Sequence, residues 1–72
     1  MERFLRYSMD HDRPIRAVFL REGVLMQKKV TVLGLGNGQV TLWIGPQQQQ
    51  TFTLPVSDVL SCDYARGDHG EE

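Results

Sequence analysis

One cysteine in 72 residues leaves Cys62 no partner within the chain, which excludes an intrachain disulfide framework and fits a reducing compartment. No apolar run approaches the roughly 20 residues that a membrane-spanning helix requires. The opening MERFLRYSMDHDR is too charged to supply the apolar stretch of a secretory signal. A soluble, cytoplasmic protein with no membrane partner is therefore expected. Aromatic residues are few, with one Trp, two Tyr and three Phe, so each large ring matters to any core. Basic residues are nearly missing from the second half: residues 34–72 hold Arg66 against five acids, a balance of −4. Residues 1–33 hold seven Lys and Arg against four acids, a balance of +3. Such asymmetry suits an anionic ligand near the first half or complementary contacts between protomers.

What is present describes one small domain. Seventy-two residues lie near the lower limit at which a core alone sustains folding, so self-association is expected. From Glu2 to about His11, Phe4, Leu5, Ser8 and Met9 share one helical face, and Pro14 ends the helix by crowding Arg13. Ile15, Ala17 and Phe19 then alternate with Arg16, Val18 and Leu20, the pattern of a largely buried strand. After the turn REG, Val24 to Leu35 reads as a long strand with an exposed QKK middle. Asn37-Gly38 is a hairpin signal because both residues tolerate positive φ, and QVTLWI returns from it.

The stretch WIGPQQQQTFTLP places a strand end, a Gly-Pro break, a polar connection and a further strand closed by Pro55. VSDV fits one 3₁₀ turn capped by Ser57 or Asp58, and LSCDY is a last strand with Leu60, Cys62 and Tyr64 on one face. ARGDHGEE, residues 65–72, is polar and expected to fray. One helix (about 2–11) and five strands (about 14–64) can bury their apolar faces in so short a chain by curling into a small barrel.

Motifs for chemistry are sparse. GLGNGQ breaks the dinucleotide-binding glycine pattern at Gln39 and lies between strands. His11, His69 and Cys62 match no compact zinc spacing, so neither a metal nor a cofactor is expected. Cys62 alternates with apolar residues as a structural thiol, and the carboxylates form no evident pair, so an enzyme is not expected. Arg66-Gly67-Asp68 reads as a chance tripeptide in a protein with no sign of export. Trp43 is expected to fill the core; its alternative role is a flat surface on which a base or other planar ligand stacks. Arg13, Arg16, Lys28 and Lys29 are candidate phosphate contacts if folding gathers them.

The order of helix, DRPIRAVFL, long strand, VTLWI and TFTLPVSDVLS resembles the WYL domain, a bacterial SH3-like or Sm-like barrel, over residues 2–64. That resemblance implies a mainly β, five-stranded, strongly bent barrel with one short N-terminal α-helix. It also implies a non-enzymatic ligand-sensing or regulatory module that takes a nucleotide or single-stranded nucleic acid. The family signature stands here as Leu42-Trp43-Ile44, Asp58 replaces a basic residue, and no helix-turn-helix segment accompanies the domain. YARGDHG is also similar to the Arg-Gly segment of Sm-like RNA-binding proteins, which adds Arg66 as a candidate contact and a ring as the candidate assembly. A protein-interaction module without a small ligand is the third expectation.

Overall fold

The structure, a computed structural model, describes residues 1–70. Helix α1 spans Glu2–His11, followed by β1 (Ile15–Arg21), β2 (Val24–Gly36), β3 (Gln39–Ile44) and β4 (Gln50–Pro55). A 3₁₀ turn over Val56–Asp58 leads into β5 (Val59–Tyr64). Every neighbouring pair is antiparallel, in the order β4-β3-β2-β1-β5. The expected mainly β fold is thus present. No ladder joins β4 to β5 among the described residues, so the expected barrel is an open, curled sheet rather than a closed one.

The curl originates in β2. Its first half pairs with β1, from Ile15 opposite Val30 to Arg21 opposite Val24, and its second half pairs with β3, with a register shift between Val32 and Gly34. Thirteen residues thereby serve two half-sheets, and the bulge between them strengthens the local bend. The halves face one another closely enough to set the Phe19 and Phe52 rings 5.6 Å apart. Between them lie Phe19, Ile15, Val30, Val40 and Leu42, all essentially inaccessible to water. Leu5 of α1 covers the same core from one end. The hairpin turns follow their residues: Asn37 and Gly38 take φ of 55° and 73°, the geometry that two-residue connections between right-twisted strands require.

Three expectations are corrected. Leu60 does not share a face with Cys62 and Tyr64. The β1–β5 register shifts between Val18 and Phe19, placing Val59 in the core and Leu60 in solvent. Neither Ser57 nor Asp58 caps the 3₁₀ turn, whose N-terminal flank is Pro55 with no side-chain bond. Residues 65–70, expected to fray, instead return to α1: Ala65 is buried, and Asp68 accepts from the Tyr7 hydroxyl at 2.9 and 3.0 Å. Residues 71–72 of the expected tail lie outside the described residues.

Candidate functional site on the outer face of the sheet

In β3, Val40, Leu42 and Ile44 point into the core, so the two-residue period of a strand sends Thr41 and Trp43 outward. Trp43 is therefore half-buried on the outer face and not the core filler expected of the only tryptophan. The interior is filled instead by Phe19, with Phe52 packed against it. On the outer face Trp43 lies between Thr31 of β2 and Thr51 of β4. Its indole covers Gly45 so closely that any side chain at that position would overlap the ring.

This placement makes one wall of an open cleft of about 720 Å³, within the size range of small-molecule sites. Lys29, Thr31 and Leu33 of β2 form its floor, and Pro46 extends the Trp43 wall. Asp12 and Pro14, from the link between α1 and β1, form the opposite wall. The lining combines a flat indole, two proline rings and a leucine with one cation and one carboxylate.

The opposite wall is built by the end of the helix. Asp12 takes a left-handed conformation at φ 53° and ψ 48°, which stops α1, and its N–H donates to the Ser8 carbonyl. The Arg13 N–H also donates to that carbonyl, at 3.1 Å. Continuing the β1–β2 register past Ile15 and Val30 would place Arg13 opposite Val32. At that point the fully buried Ser8 hydroxyl intervenes, donating to the Arg13 carbonyl at 2.6 Å and accepting from the Val32 N–H at 2.9 Å. One hydroxyl therefore continues the ladder where the chain has left it.

The candidate anion contacts do not gather. Lys29 lines the cleft, but Lys28 pairs with Ala17 on the other face of the sheet. Arg16 is opposite Lys29 and is turned toward β5, donating to the Tyr64 carbonyl at 2.7 Å and to Asp63 at 3.0 Å. Arg13 approaches Asp68 at 3.8 Å. Arg66 is exposed on the tail and does not line the cleft. The excess charge of the two halves is thus partly paired within the chain, as Arg16 with Asp63 and Arg13 with Asp68. Both pairs are largely exposed at the arginine, so they contribute little to stability.

Cys62 is half-buried and donates to the Met1 sulfur at 3.3 Å. Burial pushes its thiol above the ordinary range, which lowers the thiolate fraction needed for nucleophilic chemistry. Among the described residues no group of three or more His, Cys, Asp or Glu could hold a metal ion, and no helix is long and apolar enough to cross a membrane.

Sequence reasoning passed over Asp12, Pro14 and Pro46 as site residues and Tyr7 as a buried one. The two prolines were visible only as breakers, Pro14 of the helix and Pro46 of a strand. Tyr7 sits between charged positions on the helix, and the partner that buries it is more than sixty residues away. Compared with known proteins, the chain matches no family model, no curated protein and no solved structure.

Proposed function

We propose that the domain is a non-enzymatic binding module, of the kind a stand-alone WYL-like domain would be, that takes a planar anionic ligand such as a nucleotide in the Trp43 cleft. The observation that carries this reading is the position of Trp43: a lone indole on the outer sheet face, lining one cleft with Pro46 and Lys29. An indole face accepts any planar base by stacking, a contribution of about 1–3 kcal/mol per base. A lysine on the same floor supplies the counter-charge for one phosphate.

The distribution of the other cations favours a mononucleotide over a long strand. A groove that tracks a nucleic-acid backbone needs several cations in line. Here Arg16 and Arg13 turn to Asp63 and Asp68, and Lys28 is on the other face. The test is titration with AMP and with a ten-nucleotide oligothymidylate at low salt, read by the emission of Trp43. Binding of AMP, and a shallow salt slope of about −0.7 for the oligonucleotide as expected of one neutralised phosphate, support the reading. Unmoved emission with both probes overturns it.

A second reading, an Sm-like RNA-binding ring, is favoured by the strand order. β4 and β5 end the sheet at opposite edges, so β4 of one copy can pair with β5 of the next. That contact is heterologous and closes only as a ring. Light scattering separates the readings: six or seven protomers support the ring, and a dimer supports the cleft module or a plain interaction module. A cytoplasmic, self-associating domain belongs to the same proposal and rests on the single cysteine and the small size of the core.

A further inference from the structure

Resting on the cleft reading above, we infer that Asp68 is a positioning residue for the binding cleft, through which the C-terminal tail sets the wall that faces Trp43. The wall is short, and its Arg13 lies between the lining residues Asp12 and Pro14. Its backbone is held from below by Ser8, through bonds of 2.6 and 3.1 Å to Arg13. From the side, the Arg13 guanidinium approaches Asp68 at 3.8 Å.

Asp68 is itself built in. Its carboxylate accepts from the Tyr7 hydroxyl at 2.9 Å and from the Gly70 N–H at 2.9 Å, and its side chain is only 13% exposed. Its own N–H donates to the Ala65 carbonyl at 2.9 Å, closing a turn that begins at a buried alanine. The end of β5, from which the tail leaves, is also held to the helix, because Tyr64 meets the Phe4 ring at 4.8 Å and the Tyr7 ring at 5.2 Å. Tyr7 and Ser8 are adjacent residues of one helical turn. The helix end is therefore held to the tail by Tyr7 and to β2 by Ser8, and the wall continues directly from it.

This arrangement gives Arg66-Gly67-Asp68 an internal role: its carboxylate faces the helix and is not presented to a partner. It also makes the cleft sensitive to whatever holds or releases the tail. If ligand binding and tail docking share the wall, each must favour the other by the same factor.

The test compares wild type, Asp68→Ala and Tyr7→Phe at a temperature where circular dichroism shows each to be folded. Tyr7→Phe keeps the ring contacts and removes only the hydroxyl, so it serves if Asp68→Ala does not fold. The inference expects faster amide exchange at Arg13 in both variants, with β1 to β4 unchanged. It further expects AMP affinity to fall about fivefold or more, and AMP to slow exchange at Gly70 in wild type. Folded variants with wild-type exchange at Arg13 and wild-type AMP affinity overturn the inference and leave the cleft reading intact. A wild type that ignores AMP overturns the cleft reading; the hold of Asp68 on the wall is then decided by the Arg13 amide alone.

Discussion

Replacing Ser8 with alanine removes a single oxygen and should cost a large part of the stability of this domain. The hydroxyl bridges the Arg13 carbonyl and the Val32 N–H at 2.6 and 2.9 Å, and the residue is inaccessible to water. Alanine therefore leaves one donor and one acceptor without partners and without solvent to replace them. An unsatisfied buried group costs about 1–3 kcal/mol. Some relaxation of the 12–14 link and the better helix propensity of alanine offset part of that, so we expect a net loss of about 2–4 kcal/mol. A chain of 72 residues holds on the order of 4–11 kcal/mol in total, at about 0.05–0.15 kcal/mol per residue. The expected fall in Tm is roughly 8–32 °C, at about 4–8 °C per kcal/mol for a domain of this size. Urea denaturation with an unchanged m-value measures the loss. Hydrogen exchange locates it, because the Val32 amide should lose protection beyond the global change. A loss under about 0.5 kcal/mol, the range of an ordinary surface substitution, would refute the argument that this hydroxyl completes the ladder.

Phe19→Ala empties the middle of the core, where Phe19 is fully buried against Phe52; a loss of about 3–5 kcal/mol, a large part of that total, is expected in urea denaturation. Gly45→Ala puts a methyl group where the Trp43 indole lies, so the ring must swing away. Its emission should shift while the urea midpoint changes little, because the displaced atoms are the far end of an outer-face side chain; unchanged emission would contradict the packing of Trp43 over Gly45. The Tyr7–Asp68 contact predicts opposite pH limits. The Gly70 N–H and the Tyr7 hydroxyl hold the Asp68 carboxyl below its ordinary range. Its stabilisation is present above the ordinary Asp value of about 3.9 and is lost as pH falls through the lower folded value. Burial, and then the bond to Asp68, raise the Tyr7 phenol. That contribution is present below the ordinary Tyr value of about 10 and is lost as pH rises through the raised folded value. Tyr7→Phe should flatten the alkaline limb in urea midpoints measured across pH.

The strands and turns were legible because they depend on neighbours in sequence. Alternation of Ile15, Ala17 and Phe19 with charged or half-buried residues reports a sheet face, and Asn37-Gly38 reports a turn, wherever the chain ends up. The errors occur where a distant partner decides. Leu60 alternates with Cys62 and Tyr64, but the bulge opposite Val18 and Phe19 resets the period and exposes it. Tyr7 and the tail each look polar and solvent-facing alone, and they bury one another only when joined. Trp43 misled for a related reason. Its alternation with Leu42 and Ile44 already placed it on the face opposite them, but which face was the core depended on Val40, Leu42 and Ile44 meeting the first half-sheet.

The charge asymmetry has a similar resolution, which bears on what the cleft can hold. A sequence with its cations in the first half and its acids in the second suits a nucleic-acid strand only if the halves fold apart. Antiparallel pairing of β1 with β5 does the reverse, setting Asp63 opposite Arg16, and the tail carries Asp68 to within 3.8 Å of Arg13. Lys29 is one strand further from β5, across from Arg16 on the outer face, and lines the cleft floor. With an indole, two prolines, and the Asp12 carboxylate offsetting the charge of Lys29, the proposed site would attract by stacking first and by charge second. Its affinity for AMP should therefore persist when salt rises from about 50 to 200 mM, a change that weakens a protein making 6–10 phosphate contacts by about 10³–10⁵. Lys29→Ala should remove most of the remaining salt dependence while leaving the stacking-induced change in Trp43 emission. If instead affinity collapses over that salt range in wild type, cations outside the cleft are carrying the interaction, and the ring reading gains over the cleft.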